Sequence, residues 1–346
     1  MKKIFKNNLF RAFVMLALTI ISLYFVLKDD YKSILNSLGR ISIWWAIGLG
    51  VFIFFYQIII GWILTKLARI STKEYTYGQG LVNALIASFS HGVMPVASGG
   101  QIFQLMVFKF QKVKTSDAVS ILWMDFIVYQ FTMCATVFVL IAASFGIFST
   151  NHPSLVMLVI IGFLINCAII LVLWGATKFT KFYMWISSRG IDVVYKLKII
   201  KDKEKALEQM NTGIRSFSNE GNKLKANKKL IVQIVFANIV RLLVFFGFPY
   251  VCAMALHIEV PFSYIIDIMA FTACLRMITA VTPIPGDTGI TEILFTTIFT
   301  TLLGNTHAAS VMILWRFFSY YFIMIIGGIT YNIFQNNYNN IYSNQD

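Results

Sequence analysis

Three arginines and three carboxylates sit inside segments of this chain that otherwise read as hydrocarbon: Arg241, Arg276 and Arg316 against Asp125, Asp287 and Glu292. Placing an arginine or aspartate at the centre of a membrane helix costs about 2.5–3.5 kcal/mol on insertion scales, so each should face the protein interior and find a partner. Spacing gives their depth. Asp125 lies eight residues past Asp117, about 12 Å along a helix, and Arg241 twelve past Lys229, about 18 Å. The equal numbers allow two arrangements. If all three pairs close, the set holds helices together; if one arginine stays open, its planar fork suits a phosphate, whose oxygens it binds two at a time.

Two clusters of helix breakers lie beside these charges. "MPVASGGQ" (94–101) and "TPIPGDTG" (282–289) each interrupt an apolar stretch. Proline lacks an amide donor and disfavours helix in the residue before it, and glycine accepts positive φ, so each cluster should end one helix and reverse the chain. Pro95, Gly99 and Gly100 mark the first tip; Pro283, Pro285, Gly286 and Gly289 mark the second. Irregular backbone at membrane depth persists only where protein covers it or water reaches it, because each unpaired amide facing lipid costs several kcal/mol. A helix restarting after such a tip also points free N–H groups back at it, a setting suited to an anion. The two tips with Arg276 and Arg316 are therefore expected to enclose a headgroup chamber near mid-membrane. Gln101 and Gln104, just past the first tip, are further candidates for contact with cargo.

The surrounding elements follow from composition. Apolar residues make up 58% of 346, charged ones 13%, and mean hydropathy is +0.73, which excludes an ordinary soluble domain. The net charge of +14 would suit a nucleic acid if it were spread over one face, but it is clustered. The N-terminus, the loops with Lys66–Lys73 and Lys109–Lys114, and the stretch Lys178 to Lys229 hold 23 of the 29 lysines and arginines. Such clustering is topological: it places those segments and both termini in the cytoplasm and argues against a nucleic-acid partner. Six full spans are expected, near 9–27, 43–64, 117–146, 154–176, 230–256 and 309–333. The first has no small-x-small cleavage site and reads as a retained span.

Two regions remain. Residues 79–108 have basic loops on both sides, and 263–303 have nearly uncharged ones, so the first should enter and return on the cytoplasmic face and the second on the outer face. The expected fold is an all-α polytopic membrane protein with six spans and two oppositely inserted re-entrant hairpins, the pattern of an inverted-repeat transporter. The chain reads as one membrane domain, 1–346. Its first half is 9–176, a basic cytoplasmic segment occupies 177–229, the second half is 230–333, and 334–346 is a polar tail. Part of the basic segment, "KFYMWISSRGIDVVYKLKII", has the pattern of an amphipathic helix on an anionic leaflet; a plain topological anchor is the simpler reading.

"PVASGGQIFQ" (95–104), "PIPGDTGITE" (283–292) and "LWRFFSYYFIMIIGG" (314–328) resemble the signature segments of the lysylphosphatidylglycerol synthase transmembrane-domain family, a flippase-like module. Many members carry glycine where this chain has Asp287 and leucine where it has Thr288. The resemblance extends over roughly residues 9–333 and implies a multi-pass protein of a bacterial-type plasma membrane. It implies translocation of an anionic, aminoacylated or glycosylated lipid between leaflets. It also implies an association with lysyl-lipid synthesis and resistance to cationic antimicrobial peptides, in which the chain would work with a separate transferase, since no aminoacyl-transferase segment follows residue 333. No Walker loop, G-x-S-x-G elbow, H-E-x-x-H helix or paired C-x-x-C occurs, so neither covalent chemistry, cofactor nor metal is expected of the chain itself.

Two other classes stay open: a membrane subunit of a phosphatidylglycerol lysyltransferase, and an ion-coupled small-solute transporter with Asp125 and Glu292 as proton carriers. Membrane lipids are the expected partners, and a homo-oligomer is compatible with the sequence. Cys134, Cys167, Cys252 and Cys274 read as small hydrophobes. His91 could share a proton with the site but more simply is a structural histidine; His152, His257 and His307 belong to the outer boundary. Trp44, Trp45, Trp62 and Tyr320 read as interfacial anchors or packing.

Overall fold

A computed structural model of the chain describes residues 36, 38–39, 41–93, 99–179, scattered positions between 184 and 211, 227–279 and 287–343. The expected span 9–27 and most of the segment 177–229 lie outside them. Among the described residues the regular structure is all helical, and six helices are long and apolar enough to cross a membrane. Five coincide with spans expected from hydropathy; the sixth is the first arm of the second hairpin.

Helix α1 spans Ile43–Ala68 and begins at Ser42, whose hydroxyl accepts the Trp45 N–H. The first hairpin follows as α2, Tyr77–Val93, and α3, Gly99–Phe110. Helix α4, Thr115–Asn151, is 37 residues long, about 56 Å, and exceeds a bilayer core of about 30 Å. Helix α5, Pro153–Lys178, starts on a proline in its first turn, where a missing N–H costs nothing. Helix α6, Lys228–Ala255, is capped by the Asn227 side chain, which accepts from the Leu230 N–H at 3.2 Å. The second hairpin is α7, Ile265–Thr279, and α8, Ile290–Leu303. Gly304, at φ 78°, then turns the chain into α9, Asn305–Arg316. A π-helical stretch, Phe317–Phe322, leads into α10, Ile323–Ser343. The expected polar tail at 334–346 is thus helical as far as Ser343, because "NNYNNIYS" contains polar residues but no breaker.

Contacts between the arms show that both pairs are antiparallel. In the first hairpin Gly100 lies against His91, Asn83 donates to the Gln104 carbonyl, and Tyr75 packs on Phe108. In the second, Arg276 meets Asp287 and Phe271 meets Phe299. The arms are short. At 17 and 12 residues in the first pair and 15 and 14 in the second, they rise about 26, 18, 23 and 21 Å, less than the hydrocarbon core. Of the four arms α7 alone, lengthened to 18 residues by the 3-10 turn Phe262–Tyr264, reaches span length; the other three are too short to cross, and the antiparallel pairing returns each hairpin to the side it entered.

The long segment from α9 to α10 acts as a ruler for the two insertions. Hairpin two packs along α9, with Phe295 stacked on Trp315 at 5.0 Å. Hairpin one packs along α10, where Leu85 and Phe89 meet Gly327 and Phe89 stacks on Tyr331. Their open ends lie at opposite ends of this ruler, and the described residues next to each tip, Gly92 on one side and Thr288 and Glu292 on the other, reach Tyr320 and Arg316 at its middle, as expected for opposed hairpins. A side chain on Gly327 would run into the Leu85 carbonyl, so this glycine sets the close approach of α2 to α10.

Two apolar cores flank that middle level. One gathers Leu49, Ile53, Phe271, Phe295, Phe299 and Trp315; the other gathers Leu64, Leu67, Phe108, Ile121 and Ile234. On α1 the first core uses residues 49 and 53 and the second uses 59 to 68, which leaves Tyr56 and Gln57 between them. On α6 the same interval holds Asn238 and Arg241, and on α4 Tyr129 follows Val128, the last residue of the second core there, with Asp125 one turn earlier.

Candidate functional site

The tip of hairpin two is organised by one carboxylate. Gly289 takes φ 93°, which glycine tolerates without strain, and its N–H donates to Glu292 Oε2 at 2.6 Å. Glu292 thereby caps α8, and its other oxygen receives Arg316 Nε at 2.9 Å. The two side chains are 1% and 9% accessible. Arg316 also donates to Thr288 Oγ1 at 3.4 Å and lies over the Tyr320 ring at 4.2 Å. Tyr320 in turn donates its hydroxyl to the Gly92 carbonyl at 3.2 Å, in the last turn of α2 before the first tip. One tyrosine thus joins both hairpins, a role beyond the packing or interfacial one expected of it. The π-helical turn begins directly after Arg316. An inserted residue there re-aims the helix face, so that α9 faces hairpin two and α10 faces hairpin one.

Arg276 differs from Arg316. It is the twelfth residue of α7, about 17 Å from the start of that helix, yet 45% of its side chain is accessible. Tyr56 of α1, Tyr129 of α4 and Asp287 of the tip surround it, and His91 at the end of α2 lies within its electrostatic reach. A guanidinium open at that depth needs water or a polar ligand beside it, because facing hydrocarbon is costly. Its contact with Asp287 is loose, Nη1 to Oδ2 at 3.6 Å, and Tyr129 supplies a hydrogen bond. His91 is exposed at the same level, and a side chain on Gly100 would overlap its imidazole. Asp287 has φ 53°, the left-handed region that favours glycine and costs other residues about 1–2 kcal/mol. Glycine at this position would suit the backbone, whereas aspartate accepts strain and provides Arg276 with a counter-charge.

The third pair does not close. Arg241 is 5% accessible, and its Cζ lies 4.1 Å from the Tyr129 ring centroid. Its Nε has no hydrogen-bond partner among the described residues, and neither has Asp125 Oδ1. The two are within electrostatic reach but form no ion pair there. One turn earlier on the same face of α6, Asn238 is fully buried with both polar side-chain atoms unpartnered. Each such orphan costs about 1–3 kcal/mol, so α4 and α6 meet across a polar seam that the protein's own described groups leave unsatisfied.

Gln101 is half-buried in the first turn of α3, beside the tip, whereas Gln104 is buried a turn deeper between the hairpin arms. Gly99 begins α3. Pro95, Pro283, Pro285 and Gly286 lie outside the described residues. The four cysteines are free thiols, Cys134 beside Cys167, and no cluster of metal-binding side chains occurs among the described residues. His152 lies in the turn between α4 and α5 and is buried there, its Nε2 2.9 Å from the Ile298 carbonyl and 3.1 Å from Thr301 Oγ1. Burial lowers its pKa, and the contact with that carbonyl opposes the shift.

Tyr56, Tyr129 and Asn238 are the site residues that sequence reasoning did not single out, and Tyr320 is the one it assigned to anchoring or packing alone. The only available signal was weak: Tyr129 lies four residues after Asp125, and Asn238 three before Arg241, which places each pair on one helix face.

A family model described as the lysylphosphatidylglycerol synthase TM region matches residues 11–327. A comparison with curated proteins finds no match.

Proposed function

Because this chain belongs to the lysylphosphatidylglycerol synthase transmembrane family, we propose that its membrane-lipid function is flippase-like. It carries an anionic, aminoacylated or glycosylated lipid between leaflets. The single observation that carries this reading is Arg276: a guanidinium far along α7, 45% accessible and only loosely paired to Asp287 at 3.6 Å, which we read as facing a wet cavity. Arg316 is closed on Glu292 at 2.9 Å and serves to hold the second tip. A phosphate reaching the cavity meets Arg276 first, and the fork can accept two of its oxygens once Asp287 swings aside. The acyl chains stay in lipid while the headgroup passes the level where both hairpins turn back. The clustering of basic residues supports a cytoplasmic side for both termini, and on this reading inner-leaflet lipid is the cargo pool.

The test is a leaflet-resolved assay in proteoliposomes, with phosphatidylglycerol, its lysyl ester and a diacylglycerol glycolipid as competing cargoes. Wild type should move at least one of them, and Arg276→Gln should lose that movement while inserting normally. Unchanged translocation by Arg276→Gln would overturn the reading. A second reading, a membrane subunit that serves a separate lipid aminoacyl-transferase, is favoured by the synthase name of the family. It predicts co-purification with such an enzyme.

A further inference from the structure

The α4–α6 seam, which the arginine of the cavity does not use, contains opposite charges that fail to touch. Arg241 is buried with an orphaned Nε, Asp125 Oδ1 is orphaned opposite it, and Asn238 adds an unpartnered donor and acceptor. In a low-dielectric interior the charge of Arg241 demands a counter-charge, and only two kinds of group can supply it. One is Asp125 in its ionised form. The other is an anion brought in from the side of Arg276; Tyr129, whose ring lies over Arg241 and which hydrogen-bonds Arg276, stands between the two arginines. Both anions at once would leave a net negative charge in the seam, as would an ionised Asp125 standing alone. A divalent cation is excluded by the adjacent guanidinium. The group that can leave or join to keep the seam neutral is a proton on Asp125.

We propose that Asp125 carries a proton in exchange with cargo: an anionic phosphate and an ionised Asp125 compete for Arg241, so that phosphate binding loads a proton on Asp125 and phosphate release discharges it. This rests on the flippase reading and adds its energy coupling. The cycle balances. In the empty state the Asp125 carboxylate balances the charge of Arg241 across the seam without touching it. When a phosphate monoanion takes Arg241, the carboxylate accepts one proton from water and becomes neutral. When the phosphate departs, the O–H bond breaks, the proton returns to water and the carboxylate again balances Arg241. One proton travels with each negative headgroup, and the step is electroneutral. Arg241 from α6 acts on Asp125, and Tyr56 from α1 lies within reach of Asp125 and also of Tyr129, Arg241 and Arg276. The described residues place no carboxylate within ion-pair distance of Arg241.

The primary measurement is infrared difference spectroscopy of the reconstituted protein on addition of phosphatidylglycerol, with inorganic phosphate in a parallel arm. Wild type should gain a protonated-carboxyl stretch when the lipid binds, and Asp125→Asn should not. Arg241→Gln should show that stretch from the outset and no lipid response, which separates exchange from a folding defect. A lipid-dependent gain that survives Asp125→Asn, or no gain in wild type, overturns the exchange. Proteoliposomes loaded with a pH dye give the second readout. Lipid movement should carry protons and follow an imposed pH gradient in wild type, and lose its dependence on the gradient in Asp125→Asn. Lipid movement without proton movement overturns the exchange and leaves the flippase reading intact. Response to phosphate alone, with proton movement but no lipid movement, keeps the exchange and overturns the lipid cargo.

Discussion

Glu292→Gln is the substitution whose cost follows most directly from the structure. The glutamine is isosteric, and its amide oxygen can still accept the Gly289 N–H that now bonds at 2.6 Å, so the cap on α8 survives. What disappears is the counter-charge of Arg316, whose Nε lies 2.9 Å from the carboxylate with 9% of its side chain accessible. Breaking a buried pair by removing one partner costs about 3–5 kcal/mol, because the remaining charge stays buried. The Tyr320 ring at 4.2 Å and Thr288 Oγ1 at 3.4 Å keep their contacts, so the loss belongs at the lower end, about 3 kcal/mol, and the ring alone returns no more than about 1–2 of that. Thermal denaturation of the purified protein in detergent should show Glu292→Gln well below wild type. Glu292→Gln combined with Arg316→Met should recover most of the difference, since a neutral pair of similar volume needs no counter-charge. A single variant as stable as wild type, or a double variant no better than the single, would refute the assignment of Arg316 to holding the tip.

Two further perturbations separate the tip's backbone from its charge and the α4–α5 turn from the cavity. Asp287→Gly should relieve the left-handed strain at φ 53°, while Asp287→Ala keeps it. Both remove the counter-charge of Arg276, so both should alter lipid affinity alike, whereas stability should favour the glycine variant by about 1 kcal/mol; equal stabilities would show that the strain is not felt. His152 titrates below its ordinary value because it is buried. Such a group is neutral in the folded protein but takes a proton on unfolding, so its contribution is intact above about pH 6.5 and is lost progressively as pH falls below that. His152→Gln should flatten the stability profile in this window while lowering it at neutral pH, as measured by thermal denaturation against pH; an unchanged slope would remove His152 as the source.

Much of this architecture was legible because membrane depth punishes error. Proline and glycine in "MPVASGGQ" and "TPIPGDTG" have few uses inside an apolar stretch, and basic loops on both sides of 79–108 leave that segment no way to cross. Buried charge was legible for the same reason, which is why the Arg276–Asp287 and Arg316–Glu292 pairs were among the available combinations before any contact was known. The partition between them was not. Whether an arginine is closed at 2.9 Å or loose at 3.6 Å depends on which helix faces which, and the π-helical turn at Phe317–Phe322 sets that for Arg316. The roles of Tyr56, Tyr129 and Tyr320 were hidden among 15 tyrosines, a residue type that serves equally as anchor, packing and hydrogen-bond donor. The helical course of α10 to Ser343 was missed because polarity was taken as the end of structure, when polarity only ends the membrane.

The account depends most on the wet cavity at Arg276. In a background with Cys134, Cys167, Cys252 and Cys274 replaced, Arg276→Cys should react with a charged, membrane-impermeant thiosulfonate in proteoliposomes, despite its depth of about 17 Å along α7. Added phosphatidylglycerol should slow the reaction. Reaction with a lipid-soluble maleimide but with no charged reagent from either side of the membrane would contradict the account, because the position would then face hydrocarbon instead of water.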